Sequence, residues 1–289
     1  MRELTLYNII NRVEELPEVP QIAFRAIQLL NNPETEVSSL AEVISSDQAL
    51  TAKVLRLCNS AYYGLPRKVT TISEAVVIVG FSSIKSLVLM ITTQSSMNKG
   101  LLGYKIGPGE FWHHSISTAE TSRLIAQRIQ HDKPEECFIA GLIHDIGKMV
   151  LNQHALPEVY RATNLSQKEN MPIHLAEQKI LGFDHAAVGA ALAERWNFPP
   201  ILVESIRRHH SLEPFYLDGQ LVPMPSIIGF GNLLSQVIDD QNAQNWQVFD
   251  DYQQALQSHL NLNLEDLQAL AQGIHKRIDA THDLVLQAD

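Results

Sequence analysis

A chain of 289 residues, 45% of them apolar, is long enough for two domains, or for one helical domain with an extension, and is too apolar for global disorder. A formal charge of −10 repels phosphate backbones and counts against direct nucleic-acid binding. Two cysteines, Cys58 and Cys137, with no CxxC pair, exclude a disulfide framework and fit a reducing, cytoplasmic setting.

The first residues carry Glu3, Glu14 and Glu15 and no long apolar run, so they do not form a signal peptide. Ile22, Ala23, Ala26, Ile27 and Leu30 fall on one face of a helix, and Leu50, Val54 and Leu57 on one face of another. Ser39 with Glu42, and Thr71 with Glu74, stand at capping-box spacing. Pro17, Pro20, Asn32–Pro33 and the Gly64–Pro66 turn separate the segments, and Asn59, Ser60 and Gly64 end a helix. The longest apolar runs, 75–79 and 87–91, are far too short to cross a bilayer, so no membrane partner is expected. Four glycines and a proline in NKGLLGYKIGPG (98–109) mark the clearest boundary.

Beyond that boundary the pattern stays helical. Asp132, Pro134 and Glu135 read as a helix start, and Asp184 and Asn263 as N-caps. Val188, Leu192 and Trp196 form one stripe; Leu264, Leu267, Leu270, Ala271, Ile274 and Ile278 form another. Residues 211–225 and a polar segment at 239–245 read as irregular. No sustained period-2 alternation appears, which gives an all-α fold class. The expected organisation is an N-terminal helical subdomain over 1–97, a helical bundle over 98–240 and an acidic C-terminal extension over 241–289. Residues 1–97 nearly balance 8 Lys/Arg against 9 Asp/Glu, whereas 236–289 hold 2 against 9, so the acidity sits at the C-terminus as a solvated face.

Four of the places where the twelve histidines fall carry weight: His113–His114, His144–Asp145, His185 and His209–His210. His144 lies at helical spacing from Ala140, Ile143, Gly147 and Val150, with Lys148 on the same side. His185 shares the face of Val188, and His210 follows Leu202 and Ile206. These groups therefore point into a bundle, where an unpaired imidazole or carboxylate is costly and a divalent ion satisfies several at once. One inward histidine is more often a hydrogen-bonded core residue than a ligand; four such places on separate helices are stronger evidence. The alternative is a metal-free polar network. His131, His154, His174, His259, His275 and His282 lack partners at ligand spacing and read as surface or helix-end residues. Cys58 and Cys137 read as buried small apolar groups, and Arg67–Lys68 and Arg207–Arg208 as solvated surface.

GLIHDIGK (141–148), with WHHS before it and GFDHAAVGAALAERW and RRHH after it, resembles the HD superfamily of metal-dependent phosphohydrolases. LPEVPQIAFRAIQLL, ISSDQALTAKVLRLCNSAYYG and ISEAVVIVGFSSIKSLVL resemble the HDOD family, HD-related output domains of bacterial signalling proteins. The resemblance runs over about residues 10–235. It implies an HD-like helical bundle and a metal set of His114, His144, Asp145, His185, His209 and His210 for one or two ions of iron, manganese or zinc. Two departures stand out: Asn232 occupies the place of a closing aspartate, and SLEPFYLDG after His210 lacks the GYP signature. The leading expectation is a non-catalytic signal-transduction module, like a response-regulator output, that acts through a protein partner and is modulated by a metal or nucleotide. With no receiver or kinase segment in view, its signal is expected to arrive by non-covalent contact. The alternative is a metal-dependent phosphohydrolase of a nucleotide or cyclic dinucleotide, in which Lys148 meets the substrate phosphate beside Asp145. Direct DNA regulation is a third reading, disfavoured by the charge and by the lack of a basic recognition helix.

Overall fold

Helix-forming periodicity carries through to the structure, a computed structural model that describes residues 5–12, 29, 32, 34–60, 62–239 and 246–286, with side chains left aside at 10–12 and 282–286. The architecture is all-α, with one two-stranded hairpin among the described residues. The stripe at Ile22–Leu30, the breakers Pro17 and Pro20, residues 240–245 and the His282 side chain lie outside the described residues. Two compact units form: residues 1–16 with 97–274, and residues 17–96 with 275–289.

In the unit of 17–96 with 275–289, α2 (Val37–Ser45), α3 (Gln48–Cys58) and α4 (Ile72–Val79) pack on one another. Their buried residues include Leu40, Ile44, Val54, Leu57 and Ala75. Full burial of each such Leu, Ile or Val contributes ~1.5–3 kcal/mol before the cost of ordering. Asp47 starts α3 by accepting from Leu50 N at 3.0 Å. Asn59 ends it and clamps the following loop: its Nδ2 donates to Val69 O and its Oδ1 accepts from Val69 N, both at 2.8 Å. Thr71 caps α4 as its spacing predicts, although Glu74 reaches back to Thr70 N. Ser39 lies inside α2, whose N-cap is Glu36, so the first predicted capping box does not form. Gly80, at φ 98°, lets the chain turn by 119° into α5 (Phe81–Met97). Among the described residues no single helix is long and apolar enough to cross a membrane.

In the unit of 1–16 with 97–274, α6 (Glu110–Arg128) lies against α7 (Pro134–Ile143) and α13 (Met224–Asp239). Then come α8 (Ile146–His154), α9 (Leu156–Glu169) and α10 (Ile173–Leu181), with α9 and α10 paired. After α11 (His185–Arg195) and α12 (Pro200–Arg208), a hairpin of β1 (Tyr216–Leu217) and β2 (Gln220–Leu221) leads into α13. The hairpin turns through Asp218 and Gly219, both at positive φ, an Asp-Gly signal within the segment read as irregular. A 3-10 turn (Trp246–Tyr252), α14 (Gln253–Leu260) and α15 (Leu264–Ala271) follow, and α1 (Leu6–Arg12) packs on α8 and α11. Trp112, Phe111, Phe138, Phe230 and Phe249 are the largest buried side chains.

Two predicted helices break. The stripe from Leu264 to Ile278 divides between α15 and α16 (Ile274–Leu286), because Gly273 takes φ 91°. The stripe from Ala140 to Val150 divides at His144 and Asp145, which end α7 and start α8.

Candidate metal centre

The break inside HDIGK positions the chemistry. His144 closes α7 and Asp145 opens α8, so two consecutive side chains leave a turn where a continuous helix would separate them by about 100°. Both are buried, His144 at 0% and Asp145 at 1% exposure. Two helices meet this turn through glycines. A Cβ on Gly147 would fall 1.9 Å from His185 O and 2.7 Å from Gly189 N, so only glycine lets α8 approach α11 this closely. α6 brings His114, and the turn after α12 brings His209 and His210.

Asp145 lies at the middle. On the side of Oδ2, His144 Nε2 stands at 3.3 Å and His114 Nε2 at 3.6 Å. On the side of Oδ1, His185 Nε2 stands at 3.0 Å and His209 Nε2 at 3.4 Å. His210 Nε2 lies 2.8 Å from His185 Nε2. The structure thus brings together all six residues expected as ligands, in two groups that share Asp145: His114, His144 and Asp145; and Asp145, His185, His209 and His210. Lys148 Nζ donates to Asp145 Oδ2 at 2.6 Å, on the side that its spacing predicts.

Three of the five rings are held by their far nitrogens. His144 Nδ1 donates to Gly141 O and His209 Nδ1 to Ile206 O, each at 2.7 Å, and His185 Nδ1 donates to Glu177 Oε2 at 2.6 Å. A proton fixed on Nδ1 turns the Nε2 lone pair toward Asp145, as a metal-ligating imidazole requires. His144 Nε2, His209 Nε2 and Asp145 Oδ1 are buried and make no hydrogen bond; the 3.0 Å contact of His185 has ion-pair distance without hydrogen-bond geometry. Orphaned donors and acceptors of this kind are costly. A divalent cation in each group would satisfy them, so the residues present fit a metal.

Electrostatics agree. Burial pushes His209 down to about 4 and His210 well down, so both stay neutral. Burial and the neighbouring His144 lower His114 as well. Burial also opposes charge on Asp145, but His144, Lys148 and His185 outweigh it and hold the carboxyl well below its usual range. His185 is the exception: burial opposes its charge, yet the Glu177 carboxylate raises it to about 9, so a cation on the Oδ1 side would have to displace its Nε2 proton.

Other residues take places that single spacings do not reveal. Glu177 reaches His185 from α10, and Tyr104, from the loop at 98–109, reaches Glu177; no spacing marked either one. Asp239, read as loop, ends α13 with Oδ1 accepting from Ser117 Oγ at 3.1 Å, 3.6 Å from His113 Nδ1, and with Oδ2 4.0 Å from His114 Nδ1. His113 thus neighbours the centre. His174 does not behave as a surface residue: its ring stacks on His210 at 4.1 Å. His259 Nδ1 meets Ser226 Oγ at 3.1 Å. Arg207 pairs with Glu194 and Glu204, and Arg208 with Glu204, so carboxylates match both charges. Cys58 and Cys137 are fully buried, and burial pushes the Cys58 thiol up to about 11.

A cavity of about 410 Å³ opens beside the centre, lined by Lys148, His174, His209, His210, Asn232 and Tyr252 among others. Among the described residues its lining holds no Asp or Glu, although the chain has 32 acidic residues. Asn232 is buried and accepts from Gln236 Nε2 through Oδ1.

Comparison with known proteins places this geometry in context. The HDOD domain model matches residues 16–212. A protein of Treponema pallidum (strain Nichols), uncharacterised, is 28% identical over 241 residues, 81% of this chain and 45% of its own length. A second uncharacterised relative, from Bacillus subtilis, is 21% identical over 119 residues, 41% of this chain and 28% of that protein. The chain spans less than half the length of these curated relatives. An HDOD domain protein of unknown function from Geobacter sulfurreducens superposes with a TM-score of 0.76 at 25% identity, covering 98% of each chain. A Shewanella amazonensis protein, provisionally named a phosphohydrolase, shares the fold with a TM-score of 0.73 at 24% identity, covering 96% of this chain and 97% of its own.

Proposed function

The chain belongs to the HDOD domain family, and from that premise we propose a signal-transduction module whose HD-type centre holds divalent metal and uses it to bind a phosphorylated small molecule. The observation that carries this reading is the convergence of the unpartnered Nε2 atoms of His144 and His209 on the Asp145 carboxylate, whose Oδ1 is itself unpartnered, with the His144, His185 and His209 rings fixed from behind. His114, His144 and Asp145 would hold one ion; Asp145, His185, His209 and His210 would hold a second of iron, manganese or zinc. Bound there, a divalent ion would supply Lewis acidity toward a phosphoryl oxygen. Lys148 faces the cavity and adds positive charge. The carboxylate-free lining favours an anion over a cation, and Tyr252 with the apolar wall favours an organic group on it, as in a nucleotide. The bound state would be passed to a signalling protein partner by contact, in the cytoplasm.

A second reading, hydrolysis of that phosphoester, is favoured by the cavity opening directly on His209, His210 and Lys148. Against it stands Asn232, a neutral carboxamide with its oxygen already engaged. The test is metal analysis of protein purified without chelator, beside His144→Ala and Asp145→Asn. One or two equivalents in the native protein, one lost in the first variant and all in the second, is the expected result. A folded native protein without metal would overturn the proposal. A turnover assay on nucleotide phosphoesters separates the readings: no hydrolysis above background is expected, and His144-dependent hydrolysis would establish the second.

A further inference from the structure

The six expected ligands leave unexplained a buried acid that touches only one of them. Glu177 is 0% exposed and does not line the cavity. Its Oε2 accepts from His185 N at 2.8 Å and from His185 Nδ1 at 2.6 Å, and its Oε1 accepts from Tyr104 Oη at 2.6 Å. A carboxylate withdrawn from water costs several kcal/mol unless its charge and lone pairs are matched. Here both oxygens are engaged, Oε2 by the His185 ring and backbone and Oε1 by Tyr104. The two other anchored imidazoles, His144 and His209, rest on neutral backbone carbonyls.

Tyr104 is itself fixed. It ends a 3-10 turn (Leu102–Tyr104) whose Gly103 donates through N to Asn152 Oδ1 on α8 and accepts through O from Thr163 Oγ1 on α9, each at 2.8 Å. A Cβ on Gly103 would fall 2.8 Å from the Val159 side chain, so the turn lies flat on α9. The glycine-rich loop thus delivers a phenol to the acid behind His185.

We propose that Glu177, held by Tyr104, is the positioning carboxylate of the group on the Oδ1 side: it fixes the His185 ring and supplies the negative charge that lets this group accept a second divalent cation. This rests on the metal reading above. Asp145 is shared between the two groups and the remaining donors are imidazoles, which bring no negative charge, so a second ion added to the first meets little countercharge without Glu177. Hydrogen-bonded acids behind metal-bound imidazoles act this way, through orientation and ligand basicity.

The test is zinc titration of the metal-stripped full chain against a competing chromophoric chelator, in native protein, Glu177→Gln, Tyr104→Phe and His209→Ala. His209→Ala identifies the zinc bound on the Oδ1 side. In Glu177→Gln that affinity is expected to fall ~10–100-fold while the other stays within ~2-fold. Tyr104→Phe should weaken the same zinc by a smaller factor. Nitrogen NMR of the His185 ring should show the fixed Nδ1–H form give way to a mixture in Glu177→Gln. Equal zinc binding by native protein and Glu177→Gln, with a lowered unfolding midpoint only, would leave Glu177 structural and overturn the proposal. If Glu177→Gln does not fold, unchanged zinc affinities in Tyr104→Phe overturn it instead. Native protein that takes up no zinc would bring down the metal reading itself, a distinguishable result.

Discussion

At the residue scale, the centre joins groups whose proton affinities are pushed in opposite directions, and this gives the metal-stripped protein a pH signature. His209 is held near 4 in the fold against 6.5 as a free side chain. The unfolded chain therefore binds more protons as pH falls from 6.5 toward 4, and stability declines through that window. His185 is raised to about 9, so its contribution is fully present below 6.5 and is lost as pH rises through 9. The stripped protein should be most stable near pH 6.5, and unfolding midpoints measured from pH 4 to 9 check this; a flat profile would contradict the assigned burial. His144, Asp145 and Lys148 were legible because HDIGK keeps them adjacent in sequence. Glu177 and Tyr104 were not, because they lie 8 and 81 residues before His185, Glu177 meets it only through its carboxylate, and Tyr104 meets only that carboxylate.

At the scale of elements, the turn between α7 and α8 and the contact of α8 with α11 do most to shape the centre. Neither glycine at that contact carries chemistry, yet Gly147 lies so close to His185 O that any side chain must push the helices apart. Gly147→Ala should cost ~1–3 kcal/mol by overpacking and should weaken metal binding although all six donors remain. Urea unfolding of the stripped variant and its zinc titration measure the two effects separately. Periodicity located these helices but ran them together at His144, because the apolar spacing of Ala140, Ile143, Gly147 and Val150 continues across the break. The same holds at Gly273, where the stripe continues while the backbone turns. Side-chain patterns record which faces are buried, whereas a break depends on one residue's φ and ψ.

Across the whole molecule, a metal bound at the proposed centre would act as a ligand of the folded state. At 100 times its Kd a single ion adds about 2.7 kcal/mol, or roughly 4–5 °C in unfolding midpoint for a chain of this size. Chelator should lower the midpoint by about that much in native protein and by nothing in Asp145→Asn. Hydrogen exchange should place the change in α6, α8, α11 and α12, which carry the donors and their supports. The sequence by itself determined the helical class, the caps at Thr71, Asp184 and Asn263, and, through its family-like motifs, which six residues the fold gathers around Asp145. Each of these rests on local spacing or on short motifs kept intact along the chain. Tertiary structure alone decided that residues 1–16 join 97–274, that 275–289 group with 17–96, and that Tyr104, Glu177, Asp239 and His174 surround the centre. Contacts between residues far apart in sequence leave no periodic trace in a single chain, so only the fold discloses them.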